Sequence, residues 1–204
     1  MVFPPLHKST GLYLSWVGGL CGAIVLMLGE VLPLRLTFAT PGHFFTSIVA
    51  LEIFFVLLVW PLFVPSIVRD GTAAPALLLH VAALLLFALP LVLIAANIAS
   101  VEGAGVIRSQ VHVAALAALG AGMAARLRPA LPWYLLTVFW VSAALPFWEF
   151  LQNQLGLKAP TISVYLSPFW GAAAGEGAPA WVQTGLFGVA GLALLALARK
   201  PVTA

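Results

Sequence analysis

The feature that constrains this chain most is the stretch from Ala73 to Ser100, which contains no Asp, Glu, Lys or Arg. A helix crosses the hydrocarbon core of a bilayer with about twenty consecutive apolar residues, so an uncharged run of this size is a membrane span. Five more runs share its character: Gly11 to Gly29, Phe44 to Val68 (broken only by Glu52), Ser109 to Ala125, Trp133 to Trp148 and Trp181 to Ala198. With 63% apolar and 7% charged residues, the chain is unlike a soluble domain, in which about a quarter of residues are charged. Disorder is excluded for the same reason. The expectation is an all-α integral membrane protein, a single transmembrane domain over residues 1–204. Its six helices fall at about 11–32, 44–68, 73–99, 109–126, 132–150 and 180–198, the fourth being the least hydrophobic.

Basic residues set the orientation of such a bundle. One side carries Lys8, Arg69, Arg126, Arg128, Arg199 and Lys200; the other carries Arg35, Arg108 and Lys158. The richer side is cytoplasmic, which puts both termini inside and the protein in the cell membrane, a bacterial inner membrane. The first run is long for a signal-peptide core and no small-x-small cleavage site follows it, so it is read as a retained helix. The basic residues are scattered at the ends of apolar runs, which excludes a nucleic-acid surface. The lone Cys21 packs as a small apolar residue. Between the fifth and sixth helices lies a long outer connection, Phe150 to Ala180. Its apolar part, Val164 to Trp170, is too short to span and is expected to lie in the interface or to be re-entrant.

Ionisable groups inside lipid are costly, so each is a candidate site. Glu52 lies eight residues into the second run, about 12 Å below its outer start. Two roles are open to it: a proton, cation or substrate contact, or a carboxyl near the outer end that is protonated or bonded to a neighbouring helix. Glu149 closes the fifth run, where an interfacial position is ordinary. His43, His80 and His112 raise the possibility of haem between helices. His80 sits about 20 Å from the other two along the bilayer normal, which leaves His43 with His112. Pro61 and Pro65 are four residues apart on one face and either shape a moving joint or are tolerated near the cytoplasmic end. Gly18, Gly19 and Gly22, Gly120 and Gly122, and Gly185, Gly188 and Gly191 permit close helix approach. Phosphate-binding loops, zinc-protease motifs and nucleophile elbows are absent from the sequence. A Ser–His membrane protease would need both groups near one depth, for which Ser47 with His112 or Ser109 with His43 are candidates, but they carry no local signature.

Three places in the chain carry a resemblance. The second helix reads Phe45-Thr-Ser-Ile-Val-Ala-Leu-Glu52, then Pro61-Leu-Phe-Val-Pro-Ser-Ile-Val-Arg69-Asp70-Gly71-Thr72, and leads into Leu77-Leu78-Leu79. The fourth is a small-residue helix, Ala114 to Ala125, followed by Arg126-Leu-Arg128-Pro129. The end runs from Leu166-Ser-Pro-Phe169 through Trp181 to Arg199-Lys200. In this order and spacing the chain resembles the permeases of type-2 ABC exporters over most of residues 44 to 200. It departs from them at the front, where only Met1 to Thr10 precede the first helix in place of an amphipathic surface helix. It departs again at the charged inner turn, which is reduced to Arg69-Asp70.

The resemblance implies a permease without its own ATP site or resident cofactor, working with a cytoplasmic ABC ATPase and a second permease subunit. Arg69, Asp70, Arg126 and Arg128 are then the docking turns, and Glu52, Pro61, Pro65 and Glu149 are candidates for the translocation path. A membrane anchor or assembly subunit of a respiratory or haem-handling complex stays open, as does an ion-coupled transporter using Glu52.

Overall fold

In lipid a chain must satisfy its backbone polar groups internally, and a helix does so within one segment. The computed structural model describes residues 10–28, 41–69, 74–126, 130–155, 167–169 and 178–197. Every long element among them is helical: α1 (Thr10–Leu28), α2 (Pro41–Phe54), a π turn (Phe55–Val59), α3 (Trp60–Arg69), α4 (Ala74–Ile98), α5 (Gly103–Arg126), α6 (Leu131–Leu155) and α7 (Ala178–Leu197). The rod made of α2, the π turn and α3 is long and apolar enough to cross a membrane over Phe44–Val68, and so are α4, α5 and α7. Two further helices are apolar over shorter stretches, Thr10–Leu26 and Leu131–Ser142. Asp70, Arg128, most of the Val164 to Trp170 stretch and both termini lie outside the described residues.

Side-chain contacts fix the relative directions of the helices. Glu52 meets Gln110, and Trp60 meets Ala117 further along, so the α2–α3 rod runs parallel to α5. His112 meets Thr184, and Arg126 meets Leu197, so α7 runs parallel to α5 as well. Tyr13 bonds His80 and Trp16 bonds Leu84, which makes α1 parallel to α4. The α2–α3 rod turns back into α4 with Trp60 beside His80, so these two are antiparallel. Thr10 and Leu197 consequently lie at the same end of the bundle, the end where α3 and α5 finish.

The helix boundaries differ from the sequence expectation in instructive places. α5 begins at Gly103 instead of 109, taking in Arg108, because the carbonyl of Glu102 accepts from the amides of Gly105 and Val106 and so starts the helix. α6 runs past Glu149 through Gln152, Asn153 and Gln154 to Leu155; polarity alone does not end a helix that has no breaker. α4 ends in a Schellman closure, with Ser100 N–H on Asn97 O and Val101 N–H on Ala96 O. Ser100 takes φ 55° to make it, a backbone region that favours glycine.

α5 is the centre of the bundle. Its face carries Val113, Ala117, Ala121 and Ala124 fully buried, with Ser109, His112, Leu116, Ala118 and Gly120 beside them. Small residues let its neighbours close in. A Cβ on Gly191 of α7 would sit 2.5 Å from Leu119 N, and one on Gly122 would sit 2.7 Å from Leu194 Cβ. Gly188 makes an ordinary contact with Ala115, whereas Gly18, Gly19, Gly22 and Gly185 face open space, so only part of the glycine pattern serves contacts inside this chain.

Gly191→Ala is therefore expected to destabilise the bundle by about 1–3 kcal/mol through overpacking, with Gly185→Ala nearly neutral; thermal unfolding of the two variants in the same detergent checks the contrast. Ser100→Gly is expected to raise stability by about 1 kcal/mol, because the strain of the left-handed residue is relieved.

Candidate functional site

Pro61 has no amide hydrogen, so the carbonyl four residues earlier, Leu57 O, loses its ordinary α-helical donor. The backbone answers with a π turn just before the proline, in which the Trp60 amide bonds Phe55 O. Such turns relieve a crowded helix and recur at functional sites. Leu57 O is then served from outside its own helix: the Tyr134 hydroxyl of α6 donates to it at 3.2 Å. Trp60 Nε1 donates to Ala117 O of α5 at 3.2 Å. Gly120 makes this approach possible, since a Cβ there would lie 2.8 Å from Val56 O, 3.1 Å from Pro61 Cγ and 3.4 Å from the Tyr134 hydroxyl. The joint is thus gripped by α5 and α6. Pro61 is buried and Pro65, one turn on within α3, is half-buried.

One turn before the joint lies the first buried polar group. Glu52 is fully buried, and its Oε2 accepts from Gln110 Nε2 of α5 at 2.7 Å. Glu52 Oε1 and Gln110 Oε1 are buried as well, and neither has a hydrogen-bond partner among the described residues. Arg108 and His112 each stand two positions from Gln110, about 200° around the helix. They share the opposite face of α5, toward α7.

On that face His112 is fully buried and engaged at both ring nitrogens. Nε2 lies 2.8 Å from Pro168 O and Nδ1 lies 2.8 Å from Thr184 Oγ1. A carbonyl only accepts, so Nε2 carries the hydrogen. In the neutral ring Nδ1 then accepts from Thr184, whose hydroxyl has a competing acceptor in Ala180 O at 2.9 Å. Gln183 Nε2 donates to Ser167 O at 3.0 Å. The turn Ser167–Phe169 is held in this way against α5 at a point nine residues past Gly103, roughly 14 Å along the helix. A second polar contact, between Tyr13 and His80, ties α1 to α4 beside Trp60.

The residues singled out from sequence separate into two regions. Glu52, Pro61 and Pro65 lie along one rod against α5, while Arg126 is at the far end of α5, exposed, donating to Leu197 O at 3.0 Å and so capping α7. Arg69 ends α3 and Glu149 lies in α6, in neither case with a described side chain. Asp70 and Arg128 fall outside the described residues. Of the haem candidates, His112 has both nitrogens committed within the bundle and the side chain of His43 is not described. Ser47 does not pair with His112, and the Ser109 hydroxyl donates to Val106 O in its own helix at 2.8 Å. No group of three or more His, Cys, Asp or Glu side chains is placed to hold a metal among the described residues.

Sequence reasoning missed Gln110, Tyr134 and Thr184. Tyr134 had a findable signal, because a proline inside an apolar run leaves a carbonyl that some donor must reach. Gln110 is a polar residue four positions before the small-residue stretch Ala114 to Ala125, and its partner was not legible.

Compared with known proteins, the chain matches no family profile, no curated protein and no solved structure.

Tyr134→Phe leaves Leu57 O without its donor and is expected to cost about 1–3 kcal/mol, read as a lower unfolding temperature in detergent. Gly120→Leu is expected to abolish folding into a monodisperse species, because the inserted side chain must displace backbone at the joint.

Proposed function

We propose that the chain is the membrane-spanning permease subunit of an ATP-driven exporter of the type-2 class, residing in the cell membrane and borrowing its motor from a separate cytoplasmic ATPase. Six helices cross the bilayer in this reading, α1, the α2–α3 rod, α4, α5, α6 and α7, with Thr10 and Leu197 toward the cytoplasm. The turn Ser167–Phe169 belongs to an outer segment that re-enters between α6 and α7. A second permease subunit completes the path. The outward-facing glycines of α1, Gly18, Gly19 and Gly22, offer one surface for it.

The observation that carries this reading is the joint at Phe55–Val59 and Pro61, in the middle of a rod that ends at Arg69, which Asp70 follows in the sequence. A load applied at Arg69 passes along α3 for about 12 Å to the place where the ladder of backbone bonds is already interrupted. There the rod can bend without breaking a further intrahelical bond. Tyr134 and Gly120 transmit the bend to α6 and α5. Arg126 ties the ends of α5 and α7 together at the same end, so Arg69 and Asp70 are the primary contact for the ATPase and Arg126 and Arg128 the secondary one. The buried Glu52–Gln110 pair lies outward of the joint, where the path would open.

Purification of the full chain together with the products of its neighbouring genes tests the proposal. An ATPase is expected to co-purify, and its hydrolysis to rise when the permease is present. The double charge reversal Arg69→Glu, Asp70→Lys should weaken that association roughly tenfold, equivalent to about 1.4 kcal/mol. Absence of any bound ATPase, or hydrolysis indifferent to the permease, contradicts it.

A further inference from the structure

We propose that Glu52 and Gln110 bind one proton between them, forming a neutral acid–amide pair inside the bundle at neutral pH. This goes beyond the exporter reading and holds whether or not an ATPase partners the chain.

Three observations converge on the pair. Glu52 is fully buried, so its carboxyl has no access to bulk water. One of its oxygens, Oε2, already accepts from Gln110 Nε2 at 2.7 Å. The other, Oε1, and the amide oxygen of the same glutamine are both buried acceptors without a partner among the described residues. Two acceptors cannot bond each other. A proton placed on Glu52 Oε1 turns one of them into a donor facing the side chain that holds the other, and the acid and the amide then close a ring of two hydrogen bonds. The step balances simply: hydronium gives its proton to the carboxylate and leaves as water.

Other cations fit less well. A metal ion of the hard class needs about six oxygen ligands, and the pair supplies two. One helical turn away on α2, the π turn and α5, the buried side chains Ile48, Val49, Val56 and Val113 are hydrocarbon. Among the described residues, the one side chain seen to bond Glu52 is the uncharged Gln110. Of the elements packed on the α2–α3 rod, α1 brings Tyr13, which bonds His80 of α4, and Cys21, which is exposed and not, as its sequence reading expected, packed within the bundle. α6 brings Tyr134, committed to Leu57 O. α5 brings Arg108 and His112, which share the face opposite Gln110, with His112 bonded to Thr184 and Pro168. An ionised Glu52 would be an unpaired charge in a low-dielectric interior, the costliest arrangement a bundle can hold.

The proton also has a mechanical consequence. Glu52 lies three residues before the π turn, so the acid–amide ring ties the outer half of the broken rod to α5. Loss of the proton leaves two bare oxygens together and weakens that tie beside the joint.

Infrared spectroscopy of the full chain in lipid nanodiscs at pH 7 tests the proposal. The wild-type protein is expected to show the C=O stretch of a neutral carboxylic acid, with the intensity of one carboxyl, shifting on exchange into deuterium oxide. Glu52→Gln should remove the band while keeping the fold, because an amide can form the same ring with Gln110. Gln110→Leu should retain the band at higher frequency, as its hydrogen bonds are lost. A wild-type spectrum with carboxylate bands alone overturns the proposal, and it does so even if both variants fail to fold. A neutral-acid band unchanged in Glu52→Gln also overturns it, as does a band that disappears when sodium chloride replaces choline chloride, which would mark a metal cation as the occupant.

Discussion

The structure depends on how closely α5 can be approached. A helix surrounded by others must give up side-chain volume, and α5 does so at Ala117, Gly120, Ala121, Gly122 and Ala124. At Gly191 and Gly122 the backbones of α5 and α7 come so near that a single added carbon would overlap a neighbour. Packing of this kind stabilises helix pairs in lipid, where burial of apolar surface offers little because the lipid itself is apolar. The low hydropathy of α5 is thus a consequence of its place. A helix that barely meets lipid needs little hydrocarbon, and it can carry Ser109, Gln110 and His112 so long as its neighbours supply partners. Over their most apolar 18 residues, 61% of α5 is buried within the bundle against 28% of α7, which has α5 on one side and exposed side chains such as Leu186 and Val189 on the other.

The same closeness makes the joint in the second rod possible. A proline in the interior of a span normally leaves a carbonyl in need of a donor. Here the cost is met by the π turn and by the Tyr134 hydroxyl donating to Leu57 O, while Trp60 ties the joint to Ala117 O; Gly120 leaves the room for Val56 O and Pro61 to come this close to α5. The polar pair Glu52–Gln110 lies on one side of the joint and the Arg69 end of α3 on the other. One rod therefore carries both Arg69 at its end and a buried ionisable group, with the π turn between them. His112, Thr184 and the Ser167–Phe169 turn form a separate clasp on the other face of α5, which engages both ring nitrogens.

The membrane class and most of the helices were legible from charge-free runs, because lipid imposes length and composition directly on the chain. Helix ends were less so. Arg108 and Gln152 look like loop residues by polarity, yet both lie in helices, since a helix stops at a breaker or a cap and neither position offers one. The prolines at 61 and 65 announced a disturbed rod, but the π turn that absorbs Pro61 depends on backbone geometry that no residue type encodes. Glu52 stood out as a charge in an apolar run; Gln110 did not, because a pair between helices is set by packing between segments far apart in sequence. Glycine spacing was informative only where another backbone lies opposite: Gly120, Gly122 and Gly191 are in tight contact, whereas the equally regular Gly185 and the glycines of α1 face outward.

The central claim is that α5, the least hydrophobic of the long helices, is shielded from lipid by the others. Photolabelling with a carbene reagent dissolved in the bilayer, mapped by peptide mass spectrometry on the full chain in nanodiscs, measures this directly. Sparse labelling of residues 109–124 is expected, beside dense labelling of the outward α4 side chains Leu86, Phe87 and Leu93. Labelling of α5 as heavy as that of α4 would contradict the account.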